Sequence, residues 1–82
     1  MADRDEILTT VIGMIRKTLL NQNIEIKPDD DLRSQLGLDS MGAIEIADKI
    51  ESAYNIQLED DDMKEIRTLN NTVDLILKKI AG

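Results

Sequence analysis

The sequence has no cysteine, histidine, tryptophan or phenylalanine, and Tyr54 is its single aromatic residue. Without cysteine there is no disulfide framework to reinforce a small core, no thiolate nucleophile and no soft zinc ligand. Without histidine the usual general base is missing, which excludes Ser-His-Asp and Cys-His catalytic arrangements. Carboxylates are plentiful, yet a glycosidase-like site needs a cleft and normally aromatic platforms, which a short chain with one tyrosine can hardly build. Long apolar runs are missing as well. The opening segment MADRDEIL is charged and holds no signal-peptide core, and no stretch approaches the ~20 apolar residues of a spanning helix. The expectation is a cytoplasmic protein that is not an enzyme, with no membrane span, no catalytic residues and no metal ligands.

What is present is aliphatic and acidic. Hydrophobic residues make up 41% of the 82, enough for one core built of Ile, Leu, Val and Met, so a single domain over residues 1–82 is expected. Seventeen acidic residues against ten basic ones give a formal charge of -7. Such a charge repels nucleic-acid phosphates and anionic lipid, and it steers basic protein partners toward the chain. The same self-repulsion predicts that salt or magnesium stabilises the fold.

Apolar spacing sets out the elements. Ile7, Leu8, Val11, Ile12, Ile15 and Leu19 recur every three or four residues, predicting a helix from Asp5 to Leu20. Asn21 to Asn23 end it, and Pro28 with the acidic run Asp29 to Asp31 opens a long connection to about Leu38. Ile24, Ile26, Leu32, Leu36 and Leu38 are its predicted anchors. A second helix is predicted from Ser40 to Tyr54, with Asp39 as N-cap. At about 100° per residue, Ala43, Ile46, Ala47, Ile50 and Tyr54 face the core, while Ser40, Met41, Ile44, Glu45, Asp48 and Glu51 lie on the other side. Leu58 is expected to be buried, and Asp60 to Ile66 reads as a turn or short third helix. Thr68 caps a last helix carrying Leu69, Val73, Ile76, Leu77 and Ile80, with Lys78 and Lys79 complementing its dipole. The fold class is all-α: a small four-helix bundle of three principal helices and one short one, with a long loop between the first two.

The segment Leu36-Gly37-Leu38-Asp39-Ser40-Met41 places a serine hydroxyl at the start of an amphipathic helix. Taken alone, Ser40 is an ordinary first-turn serine. The position nevertheless suits an attached phosphate, since helix N-terminal amides and the dipole stabilise an anion there. Gly37 can supply an unusual backbone conformation where the loop turns into the helix.

Leu-Gly-Leu-Asp-Ser-Met, followed by an Ile- and Glu-rich helix, resembles the attachment motif of acyl carrier proteins, whose core is Gly-x-Asp-Ser followed by Leu, Ile or Met. The likeness extends over nearly the whole chain: length, acidity, first helix, long loop, central serine and closing helix. It implies that Ser40 is esterified by phosphopantetheine, donated from coenzyme A by a phosphopantetheinyl transferase, and that the arm's thiol carries an acyl group. It also accounts for the missing catalytic residues, because carriers take their thiol from the arm and their catalysis from partners. The implied docking positions are Asp39, Met41, Ile44, Glu45, Asp48 and Glu51. They would meet basic patches on acyl-transferring, ketosynthase or acyl-ligase type enzymes, with the carrier a monomer.

Gly42 and Ala43 stand where fatty-acid carriers often have an acid and a hydroxyl residue, and Lys49 and Ser52 dilute the acidic run. Gly42 in a first helical turn costs up to about 1 kcal/mol relative to Ala, which closer approach of a partner or the arm would offset. These departures leave fatty-acid synthesis, polyketide synthesis and other specialised lipid pathways open. Two alternatives also remain: a carrier of aminoacyl or peptidyl groups, and an unmodified acidic interaction domain that presents the same helix face.

Overall fold

A computed structural model of the chain describes residues 3–81; Met1, Ala2 and Gly82, the ends of the expected 1–82 domain, lie outside the described residues. Helix α1 spans Arg4–Thr18, α2 Ser40–Tyr54 and α3 Leu69–Ala81, with a 3-10 helix at Asp60–Glu65 between the last two. The expected all-helical architecture and its long first loop are present. The helices converge on one aliphatic cluster to which α1 gives Ile7, Val11 and Ile15, α2 gives Ala43, Ile46, Ala47 and Ile50, and α3 gives Leu69, Val73, Leu75 and Ile76. Burial of this face, more than intrinsic propensity, holds such short helices in place.

Several boundaries and faces differ from the sequence reading for identifiable reasons. Helix α1 stops at Thr18 instead of Leu20, because Leu20 turns left-handed at φ +55°. In α3, Leu75 is buried while Ile80, expected in the stripe, is 41% exposed. The helix packs against α1, α2 and the 3-10 helix, so its covered arc is wider than one stripe, while Ile80 near its end stays open to solvent. Tyr54 and Leu58 are only half-buried, packing against the edge of the cluster.

The long loop is tied down by its backbone and by Asn70. Leu32 donates its amide to Arg67 O at 2.8 Å, within an isolated antiparallel bridge between Asp31 and Thr68. The Asn70 amide reaches Pro28 O at 2.9 Å, while its side chain donates to Asp29 at 2.9 Å and accepts from Arg4 at 2.9 Å. Ile26, Leu32 and Leu38 plug into the core as the predicted anchors, with Ile24 and Leu36 half-buried beside them. Satisfying its polar backbone in this way lets so long a loop stay ordered.

Lys79 is more than a complement to the α3 dipole. Its Nζ meets Asp62 Oδ2 at 2.7 Å, and the same oxygen accepts the Glu59 amide at 2.8 Å. Asp62 is thus both the returning half of a capping box for the 3-10 helix and the tether that holds this helix to α3. Hydrogen bonding to Lys79, then to the Glu59 amide, pushes the Asp62 carboxyl below its ordinary value, while Asp62 raises Lys79. In the loop, Asp31 accepts amides from Ser34 and Arg33, and these bonds lower its carboxyl as well.

Candidate functional site

The start of α2 is built by its neighbours. Gly37 takes φ +80°, a conformation that side chains disfavour, and the Leu38 amide closes back on Leu32 O at 2.8 Å. Leu38 is thereby set into the core, and Asp39 arrives extended at the N-cap. The Asp39 carboxylate accepts the Gly42 amide at 2.7 Å, and its carbonyl accepts the Ala43 amide at 2.9 Å. Ser40 is consequently the first residue of the helix and exposed. Its own amide and that of Met41 belong to the first turn, where no intrahelical acceptor exists.

Gly42 has a structural reason within the chain, different from the approach of a partner or the arm. A Cβ there would come within 2.7 Å of Leu38 Cδ1. The glycine lets the buried Leu38 side chain pass close under the first turn of α2.

Of the docking positions expected from the sequence, Asp39, Met41, Ile44, Glu45 and Asp48 are exposed on one side of α2. Met41 is 72% and Ile44 54% exposed, large apolar side chains left in water beside carboxylates. Glu51 differs from them. It is half-buried and its carboxylate accepts the Leu58 amide at 2.9 Å, so it also secures the connection after α2.

A cavity of about 340 Å³ adjoins the helix start, lined by Thr18 and Leu19 of the α1 terminus, Gly37, Leu38, Asp39, Met41, Gly42 and Glu45. Thr18 and Leu19 had no local signal for this placement, because they lie far from Ser40 in the chain and the packing of α1 on α2 brings them there. A second cleft, of about 630 Å³, is lined by Arg33, Ser34, Met63 and Ile66 among others, along the seam between loop and 3-10 helix. Among the described residues, no helix is long and apolar enough to cross a membrane.

An exposed hydroxyl at a capped helix N-terminus, with a cavity alongside, can be esterified without disturbing the core, and the dipole favours the resulting phosphodiester. Comparison with known proteins bears on the same region. The family described as "Phosphopantetheine attachment site" matches residues 9–76. An acyl carrier protein from Guillardia theta is 32% identical over 80 residues, covering 98% of this chain and 99% of the relative. Another, from Chlorobium phaeovibrioides, is 33% identical over 74 residues, covering 90% and 95%. The solution NMR structure of holo acyl carrier protein from Geobacter metallireducens superposes with a TM-score of 0.75 at 18% identity, covering 90% of this chain and 85% of that one. At that identity the likeness speaks for the fold.

Proposed function

Because the chain belongs to the acyl carrier protein family, whose members are phosphopantetheine-dependent carriers and not enzymes, we propose that Ser40 is the attachment residue of a single carrier domain over residues 1–82. The carrying observation is the placement of its exposed hydroxyl at the capped first position of α2. When bound, the arm supplies the thiol that holds an acyl group as a thioester. In the loading step the Ser40 Oγ–P bond forms as the phosphoanhydride of coenzyme A breaks, and the adenosine 3',5'-bisphosphate half leaves. The hydroxyl proton goes to a base on the transferase, since this chain has no histidine.

The family works through partner enzymes, and the docking face we assign comprises Asp39, Met41, Ile44, Glu45 and Asp48, with Glu51 at its far end. The support is physical: two exposed apolar side chains set among carboxylates suit a surface with an apolar floor and a basic rim. The partners are the phosphopantetheinyl transferase and the enzymes that load, extend or transfer the acyl group. Tethering then raises the local concentration of the thioester at each of them.

Intact-protein mass spectrometry after incubation with coenzyme A and a phosphopantetheinyl transferase tests the assignment. The natural chain gains one phosphopantetheine and Ser40→Ala gains none. A folded natural chain that stays unmodified by an active transferase would instead make this an acidic interaction domain.

A further inference from the structure

Helix α1 closes with a geometry made for glycine, and the residue there is leucine. The Leu20 amide donates to Lys17 O at 3.2 Å and the Asn21 amide to Arg16 O at 2.9 Å, the paired bonds of a Schellman closure. Leu20 itself sits at φ +55°. Glycine, and to a lesser degree asparagine, suits that position because a Cβ crowds the neighbouring carbonyl. Among the described residues the other positive φ values fall on Gly37 and Asn55, residues of those two types. Burial does not explain the exception, because Leu20 is 90% exposed. An apolar side chain is thus held in water by a backbone conformation it disfavours, and the two closing hydrogen bonds, which a glycine or asparagine there would make as well, give no reason for a leucine.

Its position gives this meaning. Thr18 and Leu19, immediately before Leu20, line the cavity at the start of α2 together with Asp39, Met41 and Glu45. Lys49 Nζ also donates to Thr18 Oγ1 at 3.5 Å. The α1 terminus therefore flanks the start of α2, and Leu20 follows it directly in the chain as a further exposed apolar side chain, next to a cavity that Asp39, Met41 and Glu45 help to line.

We propose that Leu20 is an apolar anchor for the phosphopantetheinyl transferase, entering an apolar pocket of that enzyme whose basic rim meets Asp39 and Glu45. The inference rests on the reading of Ser40 as attachment residue. The transferase is the partner singled out because it must bring the coenzyme A phosphate to Ser40 Oγ itself. It therefore has to cover the helix start and what flanks it. Enzymes that act on a loaded thioester receive the far end of the arm and can stand further off.

The experiment measures transfer from coenzyme A to the full chain by a purified transferase with magnesium, read by intact mass. Leu20→Gly and Leu20→Asn relieve the backbone and raise Tm by about 4 °C. They nevertheless lower kcat/KM roughly fivefold or more, mainly through KM. Leu20→Met keeps the apolar reach and the natural rate. Leu20→Gly with unchanged kcat/KM overturns the proposal, as does a rate that rises and falls with Tm across the three variants. Either result leaves Ser40 standing if the natural chain is modified, whereas a folded natural chain that gains no phosphopantetheine removes both readings.

Discussion

The two sides of α2 differ more than any two helices of this molecule do. One side sets Ala43, Ile46, Ala47 and Ile50 into the core. The other leaves Met41, Ile44, Glu45 and Asp48 in water around Ser40. With the outer side as the proposed docking face, such a helix separates stability from recognition within 15 residues. Changes on the inner side should alter folding and spare docking, and changes on the outer side should do the reverse.

The largest expected effect tests the inner side. Ile46 is fully buried, so Ile46→Ala should cost about 2–5 kcal/mol by urea titration, with Ser40 still modified under conditions where the variant is folded. A negligible loss would mean that this side does not carry the core, and the contrast between the faces would collapse.

The next effect extends the contrast to the 3-10 helix, which is held to α3 by a charge pair and not by apolar contacts alone. Asp62 is lowered below its ordinary value of 3.8, first by its hydrogen bond with Lys79 and then by the Glu59 amide. A depressed carboxyl stabilises the fold above its unfolded value, and that contribution disappears as pH falls through the lower folded value. Lys79 is raised above 10.5, so its contribution is complete below that value and fades only as pH rises past the folded one. Lys79→Met should therefore lower Tm at neutral pH and flatten the loss of Tm in the window below about pH 3.8. Asp31, held down by the Ser34 and Arg33 amides, keeps a residual acid limb in that variant. An acid limb unchanged by Lys79→Met would show that Asp62 draws its stability from the Glu59 amide.

Smaller still, and on the outer side, Glu45→Lys should leave stability within about 0.5 kcal/mol and reduce partner turnover roughly tenfold, through weaker association that added salt partly equalises between variant and natural chain. Equal turnover with a native partner would take Glu45 out of the docking surface.

How much of this was legible in the sequence follows the same division. Periodicity placed Ile7, Val11, Ile46, Ile50, Val73 and Ile76 correctly, because each lies at the centre of a stripe that has only one place to go. The N-cap Asp39 and the cap Thr68 were legible from residue type, and Thr68 Oγ1 does accept the Asn71 amide at 3.0 Å. What stayed hidden depends on contacts between distant segments. Leu75 lies off the stripe and is buried only because α3 packs against more than one neighbour, and Lys79 looked like a dipole complement until Asp62 came to meet it. The early stop of α1 at Thr18 ran against residue preference, since the leucine at position 20 gives no sign of a left-handed turn.

Two glycines give the finest test of the comparison. Gly13, inside α1, has nothing within 4 Å of where a Cβ would stand, so Gly13→Ala should stabilise by about 0.5–1 kcal/mol through helix propensity alone. Gly42 would gain a similar amount, but its Cβ would press to 2.7 Å from Leu38 Cδ1 and 3.3 Å from Asp39 Oδ1. Leu38 is buried and pinned by its amide to Leu32 O, so only its terminal methyl can give way. Overpacking of about 1–3 kcal/mol outweighs a propensity gain of about 0.5–1 kcal/mol, and the net change should be a loss of up to about 2.5 kcal/mol. Because the displaced groups are the anchor and the cap just before Ser40, Gly42→Ala should also slow phosphopantetheine transfer, whereas Gly13→Ala should not. Equal stabilisation by both substitutions, measured by thermal melts with transfer followed in parallel, would mean that Leu38 yields freely and that the start of α2 is not held by packing beneath it.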